Sequence, residues 1–172
     1  MKLLLDENIP APITSTVKTL LRRSHDVQHV IDIPGWSGTK DLHLYGKAMD
    51  AGFEVVVTND GKQMNRKLEV EAIAKSGLHR IQYPHRQNGL AGLGLAMATV
   101  CAALPSVLQE LSTADGQRLV TLRGIDPGRD HRYGVRNPAV DPPKFWPQQA
   151  AWATRRVAQA VSLGRLCRPA AG

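Results

Sequence analysis

Three aspartates, Asp6, Asp41 and Asp60, fall where a metal-dependent hydrolase would need them. Asp6 closes the apolar run Lys2-Leu3-Leu4-Leu5, and Asp60 follows the run from Phe53 to Val57 after Thr58 and Asn59. Asp41 lies in the first turn of the helix expected before that second run. In a parallel α/β sheet the C-terminal ends of strands and the N-termini of the following helices share one edge, and ligands bind in the crevice along it. Clustered carboxylates raise one another's pKa, and a divalent cation removes the conflict. Carboxylates with few histidines suit Mg²⁺ or Mn²⁺ better than zinc. Such an ion activates water and stabilises charge on a phosphoryl group, which is nuclease chemistry. Glu7, beside Asp6, is a candidate partner for the ion's water, although neighbouring side chains diverge once a strand turns. Each acid also has a plain structural reading. Asp41 could cap its helix, Asp60 could form a turn with Gly61, and Asp6 could be a turn residue before Asn8-Ile9-Pro10. Only the three together on one edge favour a metal site.

The elements that must position these acids read as alternating strands and helices. Residues 2–5 predict a buried strand. Asn8 and Pro10 suit a helix start, and Ile13, Val17, Leu20 and Leu21 give that helix one apolar face through about Arg23. Val27, Val30 and Ile31 predict a second strand. After a loop marked by Pro34, Gly35 and Gly38, Ser37 or Thr39 can cap a second helix that Gly52 stops. Residues 53–57 read as a β-branched strand. Residues 64–76 read as a helix, 78–83 as a strand, 85–89 as a loop, 90–112 as a long helix containing Pro105, and 119–122 as a last strand. This alternation predicts an α/β domain over residues 1–125, a three-layer, mainly parallel sheet with helices on both faces.

The chain carries 22 basic and 15 acidic side chains, a net charge of +7. The body is nearly balanced, whereas residues 126–172 hold eight Lys/Arg against three Asp/Glu. A Pro-containing cationic extension, with one helix expected over 148–163, suits a polyanion such as RNA, or serves solubility. Its Arg129 and Arg132 alternate with His131 and Tyr133. Phe145, Trp146 and Trp152 either stack on unpaired bases or anchor the extension to protein. Arg86, beside His85 in a loop, is a further phosphate contact. Two cysteines, Cys101 and Cys167, cannot form a disulfide framework at this length. Asp6 and Glu7 interrupt the apolar start too early for a signal peptide, so a cytoplasmic location is expected. The uncharged stretch from Leu90 to Leu108 has the length of a membrane span, but its Ala, Gly and Pro105 fit a buried helix better. No membrane association is expected.

Four short motifs, in order, resemble the PIN-like domain family. They are Met1-Lys2-Leu3-Leu4-Leu5-Asp6-Glu7-Asn8, Ser24-His25-Asp26-Val27, Gly38-Thr39-Lys40-Asp41 and Val55-Val56-Val57-Thr58-Asn59-Asp60. The resemblance covers about residues 1–83 and thins through residue 125. It implies a Mg²⁺-dependent ribonuclease, with Asp6, Asp41 and Asp60 as the catalytic, metal-binding acids and Thr58 and Asn59 shaping the site. Glu7 and Asn8 complete the polar surroundings. Many members are toxins of toxin–antitoxin pairs, so an antitoxin protein is an expected partner alongside RNA. Relatives often carry another acid two residues after the last of these motifs. Here that position is Lys62, which either weakens a second ion's site or offers positive charge to the scissile phosphate. The competing expectation is a catalytically inactive nucleic-acid or protein-binding module. A receiver-like signalling domain, which wants paired acids after the first strand, is the third.

Overall fold

The computed structural model describes residues 1–85, 89–125 and 133–147. Strands β1 (Lys2–Leu5), β2 (Asp26–His29), β3 (Val55–Thr58), β4 (His79–Gln82), β5 (Leu119–Leu122) and β6 (Tyr133–Arg136) form one sheet in the order β2-β1-β3-β4-β5-β6. The first five are parallel, and β6 runs antiparallel to β5. Helices α1 (Ala11–Leu21) and α4 (Gly89–Ser112) pack together on one face, and α2 (Asp41–Asp50) and α3 (Lys67–Ser76) on the other. The α/β, three-layer expectation is thus met.

Strand alternation explains the two cores. Leu3, Leu5, Val55 and Val57 point to the side of α1 and α4, where they meet Ile13, Val17, Val100 and Leu104. Leu4 and Val56 point the other way, onto Leu44, Tyr45, Val70 and Ile73. Both faces are apolar because both are covered, which is why these strands read as unbroken hydrophobic runs. The 24-residue α4 is long and apolar enough to cross a membrane by length and composition alone. In this fold it lays Ala96, Val100, Leu104 and Leu108 on the sheet, and Pro105 lies within it without ending it.

Several local expectations are corrected. Asn8 does not cap α1, whose N-cap is Pro10, with no side-chain hydrogen bond. Neither Ser37 nor Thr39 caps α2; Ser37 bonds Glu7, and Thr39 accepts from Lys47. Val30 and Ile31 form a 3-10 turn, and β2 ends before them. The helix read from residue 64 is a 3-10 turn (Gly61–Asn65) followed by α3. The sheet also continues past residue 125. Strand β6 pairs with β5, and Trp146, 8% exposed, packs into the α2–α3 side core, so that aromatic anchors the chain to its own domain. Trp152 and the helix expected over 148–163 lie outside the described residues.

Candidate active site

The crevice forms where strand order reverses. From β1 the chain moves outward to β2, then returns to place β3 on β1's other side, with Leu5 in register with Val57. Side chains just past β1 and β3 must therefore meet at a topological switch point. The Asp6 amide continues the ladder by donating to the Val57 carbonyl at 3.0 Å. This turns the Asp6 carboxylate into the crevice, where it is 3% exposed. Thr58 Oγ1 donates to Asp6 Oδ2 at 2.7 Å and accepts from the Asp60 amide at 3.0 Å. One buried hydroxyl thus links the first and third acids. Asp60 Oδ1 accepts from the Lys62 amide at 2.7 Å, capping the 3-10 turn. Gly61 serves close approach rather than turn conformation, since a Cβ there would lie 2.5 Å from Gln82 Nε2.

Asp41 arrives by a different device. Glu7 Oε1 accepts from Ser37 Oγ and its Oε2 from the Gly38 amide, each at 2.9 Å. Both carboxylate oxygens of Glu7 thereby hold down the loop that leads to α2. Glu7 diverges from Asp6 and acts on the loop, not on the crevice, and these two bonds hold its carboxyl below the usual range. Gly38, at φ 71°, supplies the left-handed step that this loop requires. Asp41 makes no cap bond at the start of α2. Its Oδ2 lies 3.9 Å from Arg66 Nη1, and Asp60 Oδ2 lies 3.9 Å from the same atom. All three predicted aspartates converge on one crevice.

Arg66, Glu69, Arg80 and Tyr45 of this crevice were not among the predicted site residues. Arg66 Nη1 also donates to Glu69 Oε1 at 2.8 Å. Glu69 falls in the first turn of α3 because that helix begins at Lys67 and not at 64. Its i, i+3 spacing from Arg66 was the available sequence signal. Arg80, 2% exposed in β4, donates through Nη2 to the Asp60 carbonyl at 2.6 Å. It also bonds Gln63 Oε1 through Nε at 3.3 Å and Gln82 Oε1 through Nη1 at 3.3 Å. A charged residue inside a predicted buried strand was the signal for it. Tyr45 donates to the same Gln63 oxygen at 3.1 Å.

Charge in the crevice is out of balance. Burial pushes the Asp6 carboxyl up; the Thr58 hydrogen bond opposes this, and the Asp41 charge adds to it. Burial raises the Tyr45 phenol to about 12, against the pull of Arg80 and with the push of Asp6 and Asp41. Burial and the charge of Asp6 likewise raise Tyr83, against the neighbouring Asn59 side chain, which lowers it. Among the described residues, no three of His, Cys, Asp and Glu stand close enough to hold a metal ion as they are placed. The physical reason is that Thr58 engages Asp6, while the Arg66 guanidinium lies among Asp41, Asp60 and Glu69. The donor set does fit a hard cation. It is all carboxylate, and Glu69 Oε2 is buried without a hydrogen-bond partner among the described residues.

A cleft of about 740 Å³ adjoins the crevice, shared through Asn59, whose Nδ2 donates to the Asn8 carbonyl at 3.1 Å. Gln82, Thr99, Thr121, His85 and Arg123 line it with donors and positive charge over an apolar floor. This volume falls within the range of small-ligand sites. Lys62 is exposed, and its bond to Asp60 runs through its backbone. Arg86, Arg129 and Arg132 lie outside the described residues.

Thr58→Val should cost about 2 kcal/mol, because the isosteric side chain leaves the Asp60 amide and a buried carboxylate oxygen without their partner. Thermal unfolding should show a fall of roughly 4–8 °C. The deficit should shrink at acid pH, where Asp6 is protonated and the charge-assisted bond is lost in the parent too.

Residues 1–83, just under half of the chain, match the family model described as a PIN-like domain; the match supports a PIN-like domain family and suggests a nuclease-type fold. Comparison with curated proteins gives no match.

Proposed function

We propose that this protein is a divalent-cation-dependent endoribonuclease that acts in the cytoplasm as the toxin of a toxin–antitoxin pair, with RNA and an antitoxin protein as its partners. The reading rests on one observation above others: Asp6, Asp41 and Asp60, far apart in the chain, converge at the β1–β3 switch point. Asp6, Asp41 and Asp60, with Glu69, would hold Mg²⁺ or Mn²⁺. When bound, the ion supplies Lewis acidity and charge neutralisation at a phosphodiester oxygen. Thr58 orients Asp6, Glu7 holds the loop that presents Asp41, and the Arg80 bond fixes the Asp60 backbone. The neighbouring cleft, with Arg123 and His85 on its walls and no acid among its described lining residues, suits the strand on either side of the scissile phosphate.

A second reading is favoured by a specific observation. The guanidinium among the acids, with Lys62 at the position where relatives often carry an acid, suits a module that binds RNA or protein without cleaving. Incubating the full chain with single-stranded RNA separates the two. Cleavage should require Mg²⁺ or Mn²⁺ and should disappear in Asp41→Asn and Asp60→Asn. RNA retained intact under all conditions, with binding preserved, establishes the second reading instead.

A further inference from the structure

We propose that Arg66 is a built-in counter-ion of the acid crevice, one that a divalent cation must displace in order to bind. The inference rests on the metal-dependent reading above and concerns what regulates entry to that site.

Arg66 ends the loop ahead of α3 as its N-cap residue, and its side chain is half exposed at 52%. One atom, Nη1, faces three carboxylates: Glu69 at 2.8 Å and Asp41 and Asp60 at 3.9 Å each. Only the Glu69 contact has hydrogen-bond length; the other two are charge attractions without directed bonding. A monovalent planar cation thus stands among ligands that, by number and type, suit a small divalent one. The arrangement satisfies the acids incompletely, because the second oxygen of Glu69 is buried without a hydrogen-bond partner among the described residues. It is also reversible. An exposed arginine can swing its head into water while its stem stays in place, so nothing need unfold when a doubly charged ion takes over the carboxylates. Arg80 cannot play this part, since it is buried and its bonds go to neutral oxygens.

The consequence is a penalty on metal affinity that a single substitution removes. Mn²⁺ would be titrated into the full chain and followed by the loss of free-ion electron paramagnetic resonance signal, with thermal unfolding in parallel. Arg66→Gln is expected to bind Mn²⁺ about three to ten times more tightly than the parent. In chelator it should melt lower than the parent, and Mn²⁺ should raise its melting temperature by more. Arg66→Lys, which keeps the charge but loses the planar fork, should fall between the two and covers the case in which the glutamine variant does not fold. A merely structural arginine would lower Mn²⁺ affinity when replaced, or leave it alone. Unchanged or weaker Mn²⁺ binding in the Arg66 variants, with binding abolished by Asp60→Asn, overturns the counter-ion role and leaves the metal reading standing. Absence of Mn²⁺ binding in the parent and in both Arg66 variants overturns the metal reading and this inference with it.

Discussion

Arg80→Met should cost about 3 kcal/mol and lower the melting temperature by roughly 6–12 °C. The guanidinium is buried, and its four hydrogen bonds all end on neutral oxygens: two on Gln63 Oε1, one on Gln82 Oε1 and one on the Asp60 carbonyl. Methionine fills comparable space but donates nothing. The Asp60 carbonyl and the Gln82 side chain then lose a buried donor, and each such loss costs about 1–3 kcal/mol. Removing a buried charge offsets part of this. Denaturant unfolding at pH 7 tests this, and a loss below about 1 kcal/mol would show that Arg80 does not support the crevice.

Asp6→Asn should have opposite effects on activity and stability. If the proposed function holds, metal-dependent RNA cleavage should fall about a hundredfold or more, since one proposed ligand of the ion loses its charge. Metal-free stability at pH 7 should rise by about 1 kcal/mol, or roughly 2–4 °C. The sign follows from the raised pKa of this carboxyl, whose largest cause is burial. The folded chain holds the Asp6 proton more tightly than the unfolded chain does. Between the ordinary carboxyl value and the raised one, folding takes up a proton, so stability drops as pH rises through that window and stays lower above it. The amide carries no charge to desolvate, yet its oxygen can still accept from Thr58. The variant should thus lose this pH dependence. Thermal melts across pH 4–8 in chelator, set beside an RNA cleavage time course, give both readouts. Equal cleavage by parent and variant would remove Asp6 from the catalytic machinery. A destabilised variant at pH 7 would show that the ionised carboxylate supports the fold. A residue that costs stability and is needed for chemistry is what a functional site leads one to expect.

The layers of the fold were legible because burial on both faces leaves a local trace. Leu3 to Leu5 and Val55 to Val57 are continuous apolar runs, and the helical spacing of Ile13, Val17 and Leu21 marks a single buried stripe. Strand β6 was not legible. Tyr133 to Arg136 lacks an apolar run, and only its pairing to the exposed edge of β5 makes it a strand. Asn8, Ser37 and Thr39 suited caps by type, but capping requires a side chain to reach a particular amide, and two of these side chains were drawn into other contacts.

For the site, the chain order of the residues determined which acids follow β1 and β3 and which one opens α2, because a strand end and a helix start are local events. The tertiary structure alone decided that β1 and β3 are neighbours, that Glu7 would hold the loop carrying Asp41, and that Arg66 would stand among Asp41, Asp60 and Glu69. Those outcomes depend on through-space distances between segments tens of residues apart. A local pattern specifies the side chains available to a crevice, but strand order and loop closure determine which charges come to face one another there.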